Sequence, residues 1–187
     1  FRLPAGISAV NLAGLPPRPA SALQPGQSAL FDDLLRDAPG WDDVAWLQAN
    51  TRLPVILKGI LHPDDARQAA RLQAGGVIVS NHGGRTLDSA PPTAEALPRI
   101  ADALAGALPL LVDGGIRRGT DILKAMALGA NAVLVGKPYV FGLANAGALG
   151  VAHVLRLLRD ELEIAMALCG CATLDAIPAG LLGAGQP

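Results

Sequence analysis

This sequence of 187 residues has few cysteines and few aromatic residues, and its positive and negative charges are nearly balanced. The two cysteines, Cys169 and Cys171, have no further Cys or His partners at metal-ligand spacing, so no metal site is predicted. We expect both to be small buried residues in a reducing compartment. Lys and Arg total 15 against 16 Asp and Glu. That balance argues against a nucleic-acid partner, because binding a phosphate backbone needs a basic excess.

Long apolar runs are also lacking. The sequence has no uninterrupted apolar stretch of about 20 residues and no basic segment followed by a short apolar one. We therefore expect a soluble, cytoplasmic protein, or one that is peripheral to a membrane. Apolar residues make up 51% and charged residues 17%, which favours a folded domain over a disordered chain. Because the sequence begins with Phe1, we expect it to be a fragment of a larger protein.

Two regions differ in their sequence patterns. Residues 1–40 are rich in proline and lack sustained periodicity, which predicts a largely irregular, variable loop with a short helix near Leu30–Arg36. Ordered structure is predicted over residues 41–187. It would begin with a helix that is capped by Asp42 and ends near Asn50.

Four short apolar runs alternate with four helical patterns in the second region. The predicted strands are Leu53–Leu57, Val77–Val79, Leu110–Val112 and Ala132–Val135. The predicted helices are Pro63–Ala74, Thr93–Ala105, Thr120–Leu128 and Ala146–Leu168. Continuous apolar runs alternating with helices are typical of an α/β protein with a parallel sheet. A complete TIM (β/α)₈ barrel needs about 250 residues, so four units correspond to half of one. A doubly wound sheet is the alternative.

Polar residues and glycines follow or end every one of the four runs. The four segments are Lys58-Gly59, Ser80 to Arg85, Asp113-Gly114-Gly115 with Arg117 and Arg118 beyond, and Gly136-Lys137. Ligands of parallel α/β proteins bind at the carboxyl ends of the strands. The sequence therefore predicts one binding site that is shared by the four strand ends.

The positive charges and glycines of these segments predict an anionic ligand. Lys58 would either stabilise negative charge on an electron-accepting ring or extend its ammonium group to solvent. Gly114 and Gly115 allow the backbone to approach a ligand, and the next helix opens at Gly119 or Thr120. Exposed N–H groups at a helix start are typical of a phosphate site, although ordinary tight turns have the same composition.

His82 and Arg85 predict acid–base chemistry on a carboxylate substrate. His82 lies between polar residues and glycines in a loop, and an imidazole is a suitable general base at neutral pH. Arg85 can donate two parallel N–H groups to a carboxylate. His62 and His153 are expected to be structural or solvated.

The nine residues from Ser80 to Asp88, Ser-Asn-His-Gly-Gly-Arg-Thr-Leu-Asp, closely resemble the active-site signature of the FMN-dependent α-hydroxy-acid dehydrogenase/oxidase family. That family includes glycolate oxidase, L-lactate oxidase, L-lactate dehydrogenase (cytochrome) and mandelate dehydrogenase. The segments around Lys58, Asp113 and Gly136 match it in order and spacing. The resemblance extends from about Trp41 to Cys171 and implies the C-terminal half of the barrel.

The resemblance implies a role for each polar residue at the strand ends. His82 would be the active-site base that contacts the substrate, and Arg85 would bind the substrate carboxylate. The implied FMN-binding residues are Lys58 and Ser80 at the ring, Asp113 at the ribityl chain, and Gly114, Gly115, Arg117, Gly136 and Lys137 at the phosphate. The implied reaction converts an L-2-hydroxy acid, such as lactate or glycolate, to the 2-oxo acid.

This sequence departs from the family pattern in two respects. The family usually has Gly-Arg where this chain has Gly136-Lys137. The N-terminal half-barrel, which supplies further flavin and substrate contacts, is missing. The implied partners are therefore that missing half-barrel, a small 2-hydroxy acid, and further copies of the complete protein in a homo-oligomer.

Two other functions stay open at this point. One is a different FMN barrel, such as the type 2 isopentenyl-diphosphate isomerase or the IMP dehydrogenase relatives, which would not need the pair His82 and Arg85. The other is a non-catalytic half-barrel that acts as an interaction module. Such a half would leave two strand edges unpaired, which favours association with another chain.

Overall fold

The computed structural model describes residues 4–8, 10–16, 23–36 and 38–183. The chain divides into two compact units, Phe1–Asp43 and Val44–Pro187. This division falls close to the predicted boundary between residues 40 and 41. Residues 1–3, 9, 17–22 and 37 of the predicted loop, and residues 184–187 of the predicted half-barrel, lie outside the described residues.

The described part of the first unit contains a 3₁₀ helix, Val10–Leu12, and a π-helix, Ala29–Leu34. The Ser28 hydroxyl accepts the N–H groups of Leu30 and Phe31, at 3.2 and 3.3 Å, and so caps the π-helix. The helix predicted near residues 30–36 is therefore present, with earlier bounds and the wider π-type turn.

Helix α1 spans Trp41–Ala49. Asp42 lies inside its first turn, so the prediction that Asp42 caps the helix is wrong. Asp43 takes a related role, because its carboxylate accepts the Gly40 N–H at 2.7 Å. Carboxylates in a first turn are also stabilised by the helix dipole.

The second unit alternates strands and helices along the chain. They are β1 (Ile56–Ile60), α2 (Pro63–Arg71), β2 (Gly76–Val79), α3 (Thr93–Leu104), β3 (Leu110–Val112), α4 (Gly119–Ala127), β4 (Ala132–Val133) and α5 (Lys137–Leu168). The four strands form one parallel sheet in the order β1-β2-β3-β4. A doubly wound sheet reverses its strand order at a switch point, whereas a barrel keeps the sequential order. The observed order is that of half a barrel, as predicted.

The two faces of the sheet have different surroundings. Val77 and Val79 of β2 are fully buried, and they pack in the core with Leu97 and Ile100 of α3. The sheet register aligns Lys58, Ile78, Leu111 and Ala132 in one row across the opposite face. Because side chains alternate along a strand, this row points away from the helices, towards what is the interior of a closed barrel.

Three strands differ from their predicted bounds, and β2 does so only by beginning one residue earlier, at Gly76. Strand β1 continues through Lys58 and Gly59 to Ile60, so Lys58 lies within the strand and not beyond its end. A charged residue is accommodated there because its side chain lies on the open face of the sheet and has polar partners. Strand β4 ends at Val133, two residues earlier than predicted.

Helix α5 begins at Lys137, nine residues before the predicted start at Ala146. Pro138 in its first turn favours this start, because proline fixes φ near the helical value. The helix breaks at Ala146 and Gly147, where Gly147 has φ 56°. In the part of α5 after this break, Leu158 is buried, whereas Leu155 is 51% exposed.

Helix α5 is also the one described helix that is long and apolar enough to cross a membrane by length and composition alone. One such helix is weak evidence for a membrane span, because the core helices of soluble proteins pass the same test of length and composition. Just beyond the end of α5, Cys171 is buried, as expected, but Cys169 is exposed. Cys169 caps the helix, where its side chain faces outward.

Gly119 is expected to be essential for packing α4 against α5. A Cβ at this position would lie 2.0 Å from the backbone nitrogen of Leu162. Overpacking costs about 1–3 kcal/mol or more, so we expect Gly119→Ala to lower the free energy of unfolding by at least about 2 kcal/mol in urea titrations. Gly180→Ala is the matched control, because a Cβ there meets no atom within 4 Å. Equal stability of the two variants would contradict this packing.

Candidate active site

A cleft of about 770 Å³ opens at the carboxyl ends of the four strands. The predicted site residues that line it are Lys58, His82, Arg85, Asp113, Gly114, Gly115, Arg117, Gly136 and Lys137. The predicted convergence of four strand ends is therefore observed. The volume of the cleft is within the usual range for cofactor and small-molecule sites.

Lys58 forms the polar floor of this cleft together with residues from two other strands. Its ammonium nitrogen lies 2.5 Å from Asp113 Oδ2 and 2.7 Å from the Ser80 hydroxyl. Ser80 is 1% exposed and does not line the cleft, but its hydroxyl accepts a hydrogen bond from the Lys58 ammonium group. Lys58 and Asp113 thus form an ion pair, and together with Ser80 they link three neighbouring strand ends.

The two carboxylate oxygens of Asp113 differ in their surroundings. Oδ2 binds Lys58, while Oδ1 is buried and accepts no hydrogen bond from any residue that the structure describes. A buried acceptor left unpaired costs about 1–3 kcal/mol. An oxygen in this state at the wall of a cleft is suited to accept a hydroxyl group of a bound ligand.

His82 is held at the mouth of the cleft by its backbone. Its φ is +54°, and its N–H donates to the Ser80 hydroxyl at 3.1 Å. The imidazole lies against Gly59, where a Cβ would be 3.3 Å from His82 Cε1. Gly59 thus leaves the space that the ring occupies.

The loop after His82 is closed by Asn81. The Asn81 side-chain oxygen accepts the Gly84 N–H at 3.2 Å, which positions the turn that leads to Arg85. Within the described part of the chain, neither the His82 ring nor the Arg85 guanidinium has a hydrogen-bonding side-chain partner. Both groups are exposed at the cleft and are available to a substrate.

Four further residues that line the cleft suit a phosphate. Gly115 and Gly136 have open space where a Cβ would lie, so an anion can approach their backbone. Arg117 and Lys137 bring positive charge to the same cleft. The Lys137 ammonium nitrogen lies 3.3 Å from the carbonyl oxygen of Gly83.

The predicted use of N–H groups at the start of α4 is wrong in part. The N–H groups of Arg117 and Arg118 both donate to Asp121 Oδ2 at 3.0 Å. The Gly119 N–H donates to Glu161 Oε2 at 2.9 Å. These donors are already bound to carboxylates, so a phosphate would have to use the glycine turns and the side chains of Arg117 and Lys137.

Four residues that support the site were not identified from the sequence. They are Asn81, Thr93, Asp121 and Glu161. Thr93 is 4% exposed, and its hydroxyl lies 3.5 Å from the carbonyl oxygen of Gly114. Asp121, three residues after Arg118, carried a usable signal because a carboxylate at that position often caps a helix. No sequence signal identifies Glu161, because its hydrogen-bonding partner Gly119 lies 42 residues away.

The other two histidines are located as expected. His62 caps α2, and its Nδ1 accepts the Asp64 N–H at 3.2 Å. His153 is exposed on α5. Neither lines the cleft.

The fold and the cleft together define a class of protein: a parallel β/α half-barrel whose strand ends bring an imidazole, a guanidinium group and glycine-rich turns to one cleft. The family model described as FMN-dependent dehydrogenase matches residues 1–184. The chain belongs to the FMN-dependent dehydrogenase family.

The relatives agree with this assignment. The chain is 53% identical over 178 residues to an L-lactate oxidase of Alicycliphilus denitrificans, which is 95% of this chain and 48% of that protein. It is 56% identical over 137 residues to a peroxisomal (S)-2-hydroxy-acid oxidase of Oryza sativa subsp. japonica, which is 73% of this chain and 37% of that protein. The chain thus spans about half the length of the curated relatives that it matches most fully.

Solved structures of mandelate oxidase share the fold. One superposes with a TM-score of 0.74 and 52% identity over 75% of this chain and 43% of that chain. A mandelate oxidase mutant, solved with the monooxide FMN adduct, superposes equally well, again over 75% of this chain and over 45% of its own. The expected fold, the C-terminal part of a (β/α)₈ barrel, is thereby confirmed.

The partnership of Lys58 and Asp113 leads to a stability prediction. Lys58→Met removes the cation from a partly buried carboxylate, and we expect the free energy of unfolding in urea to fall by about 1–3 kcal/mol. Adding Asp113→Asn should recover most of the loss, because the double variant leaves no unpaired charge. Lys124→Met, at an exposed position of α4, is the control. Loss of equal size in the single and double variants would show that charge pairing is not the cause.

Proposed function

We propose that the complete protein containing this chain binds FMN and oxidises a small L-2-hydroxy acid to the 2-oxo acid. The observation that carries this proposal is the placement of His82 and Arg85 on one wall of a cleft whose floor is Lys58 and Asp113. The names of the relatives support the substrate class, since they include L-lactate oxidase and (S)-2-hydroxy-acid oxidase.

The polar groups of the cleft fit FMN. The unpaired Asp113 Oδ1 would accept a ribityl hydroxyl, and the open turns at Gly115 and Gly136 would face the phosphate. The guanidinium of Arg117 and the ammonium group of Lys137 would neutralise the phosphate charge. Lys58 would lie beside the flavin ring, where its positive charge favours an electron-rich ring.

Each substrate contact follows from the chemistry of a side chain at the mouth of the cleft. Arg85 would bind the substrate carboxylate through two N–H groups, which orients the hydroxyl-bearing carbon. The His82 imidazole would accept one proton from the substrate during oxidation. FMN, when bound, would accept the two electrons and the second proton that leave the substrate. The Lys58 ammonium group is held in place by its hydrogen bonds to Ser80 and Asp113.

An absorbance titration of the complete protein tests this proposal directly. We expect the purified protein to show the absorbance of oxidised flavin, and adding a substrate under anaerobic conditions should bleach it. L-Lactate, glycolate and L-mandelate are added in turn, with the D-lactate enantiomer as the control. A protein without bound flavin, or a flavin that none of the three acids reduces, would contradict the proposal.

The proposal also includes a homo-oligomer of the complete protein and a location in the cytoplasm or at a membrane surface. The many exposed apolar side chains on α5, among them Phe141 at 68% and Leu149 at 77%, are consistent with a further packing partner. Light scattering of the complete protein, and its distribution between the soluble and membrane fractions of a cell extract, test these two points.

A further inference from the structure

The start of α4 is fixed to α5 by a contact between residues far apart in the sequence. The buried Gly119 N–H donates to Glu161 Oε2 at 2.9 Å, and Arg118 Nη1 lies 3.9 Å from Glu161 Oε1. A Cβ at Gly119 would lie within 2.6 Å of Glu161 Cβ. The first turn of α4 therefore touches the backbone of α5 directly, and Glu161 holds the two together.

Glu161 and Asp121 together bind three consecutive N–H groups. Asp121 accepts those of Arg117 and Arg118 at 3.0 Å each, and Glu161 accepts that of Gly119. Unbound N–H groups at a helix start would compete for any nearby anion. Because both carboxylates occupy these donors, they set the backbone direction at this turn, and neither residue lines the cleft.

The turn that Asp121 and Glu161 hold is the C-terminal end of the loop of residues 114–117, which lines the cleft. Residues 114–117 run from the end of β3 to the start of α4, and the sheet fixes only the β3 end. Glu161 is the residue of the second segment of α5 that hydrogen-bonds to the other end, while Arg156 and Arg159 pair four residues along their own helix. At this turn, Arg118 points to Glu161, whereas Arg117 lines the cleft.

We propose that Glu161 is a positioning residue for the phosphate end of the cleft, which acts through Gly119 to orient Arg117 and the Gly114–Gly115 turn. This inference rests on the proposed binding of FMN. It implies that α5, which does not reach the ligand at Glu161, contributes to affinity for the phosphate and not for the flavin ring.

The comparison of FMN with riboflavin tests this inference, because riboflavin has the same ring and ribityl chain but no phosphate. Flavin fluorescence titrations of the complete apoprotein would measure both dissociation constants. For Glu161→Ala and Glu161→Asp, whose side chains no longer reach Gly119, we expect the FMN constant to rise about tenfold. The riboflavin constant should change less than twofold. Glu161→Gln keeps an acceptor oxygen and should restore FMN affinity to within about threefold of the original.

Glu163→Ala is the matched control. Glu163 lies on the same helix, is 58% exposed on its side chain and, among the described residues, pairs only with Arg159, so both flavins should bind as before. Equal weakening of FMN and riboflavin, or unchanged FMN binding in all three Glu161 variants, would overturn the inference. If Glu161→Ala does not fold, the Asp and Gln variants decide the question in the same way. An unsubstituted apoprotein that binds neither flavin would instead contradict the proposed function.

Discussion

Replacing His82 by glutamine in the complete protein is expected to lower the rate of flavin reduction by substrate about 10³-fold. Glutamine keeps a polar side chain of similar length but accepts no proton near neutral pH. The His82 side chain makes no hydrogen bond to Lys58, Ser80 or Asp113, so the floor of the cleft should be unchanged. Stopped-flow absorbance would measure the rate, and the flavin content of the purified variant would show that FMN is still bound.

His153→Gln is the control for this experiment, because His153 is exposed on α5 and does not line the cleft. Its rate of flavin reduction should equal that of the unsubstituted protein. A His82→Gln variant that is reduced at the normal rate would remove His82 from its role as the base. Loss of bound FMN would instead show that His82 is needed for the structure of the cleft.

The second large effect concerns the chain of 187 residues by itself. We expect its turnover to be lower than that of the complete protein by at least about 10³-fold, because removing even one well-placed group from a catalytic site costs about 10²–10³-fold. The chain spans about half the length of the relatives that it matches most fully, so the ligands of the other half are absent. Steady-state oxidation of the best substrate, measured per mole of protein for both forms, tests this expectation.

The exposed sheet edges provide a second readout for the same comparison. In the described part of the chain, the strands β1 and β4 each pair on one side only, and Ile56 on β1 is 44% exposed. Unpaired edges favour association, so the isolated chain should elute as a dimer or a larger species during size-exclusion chromatography. Full 2-hydroxy-acid oxidation by the monomeric chain would overturn both expectations and show that this half contains all that catalysis needs.

Local pattern predicted some elements well and others poorly, for identifiable reasons. Strand β3 and the start of α3 have the predicted bounds, because apolar runs and helical periodicity depend on neighbouring residues. The first segment of α5 was missed because Gly142 interrupts it, and glycine weakens a helical pattern. In the structure that glycine is needed, since a Cβ at Gly142 would lie 2.6 Å from the carbonyl oxygen of Gly150.

Much of the candidate site could also be predicted from the sequence. The nine-residue signature from Ser80 to Asp88 identified the family, and the placement of charge after buried strands predicted a shared cleft. Both inferences rest on short segments whose meaning does not depend on distant residues. The roles assigned to His82 and Arg85 remain predictions that the experiments above address.

The order of strands and helices, the family and the positions of the polar strand ends were determined by the sequence alone, because each is encoded within a few consecutive residues. The pairing of Lys58 with Asp113 and of Gly119 with Glu161 was decided only by the tertiary structure. These partners are separated by 55 and 42 residues, and only the packing of parallel strands and of α4 against α5 brings them into hydrogen-bonding distance. The same packing brings Glu161 to the Gly119 N–H, whereas Asp121 accepts the N–H groups of Arg117 and Arg118 within its own turn.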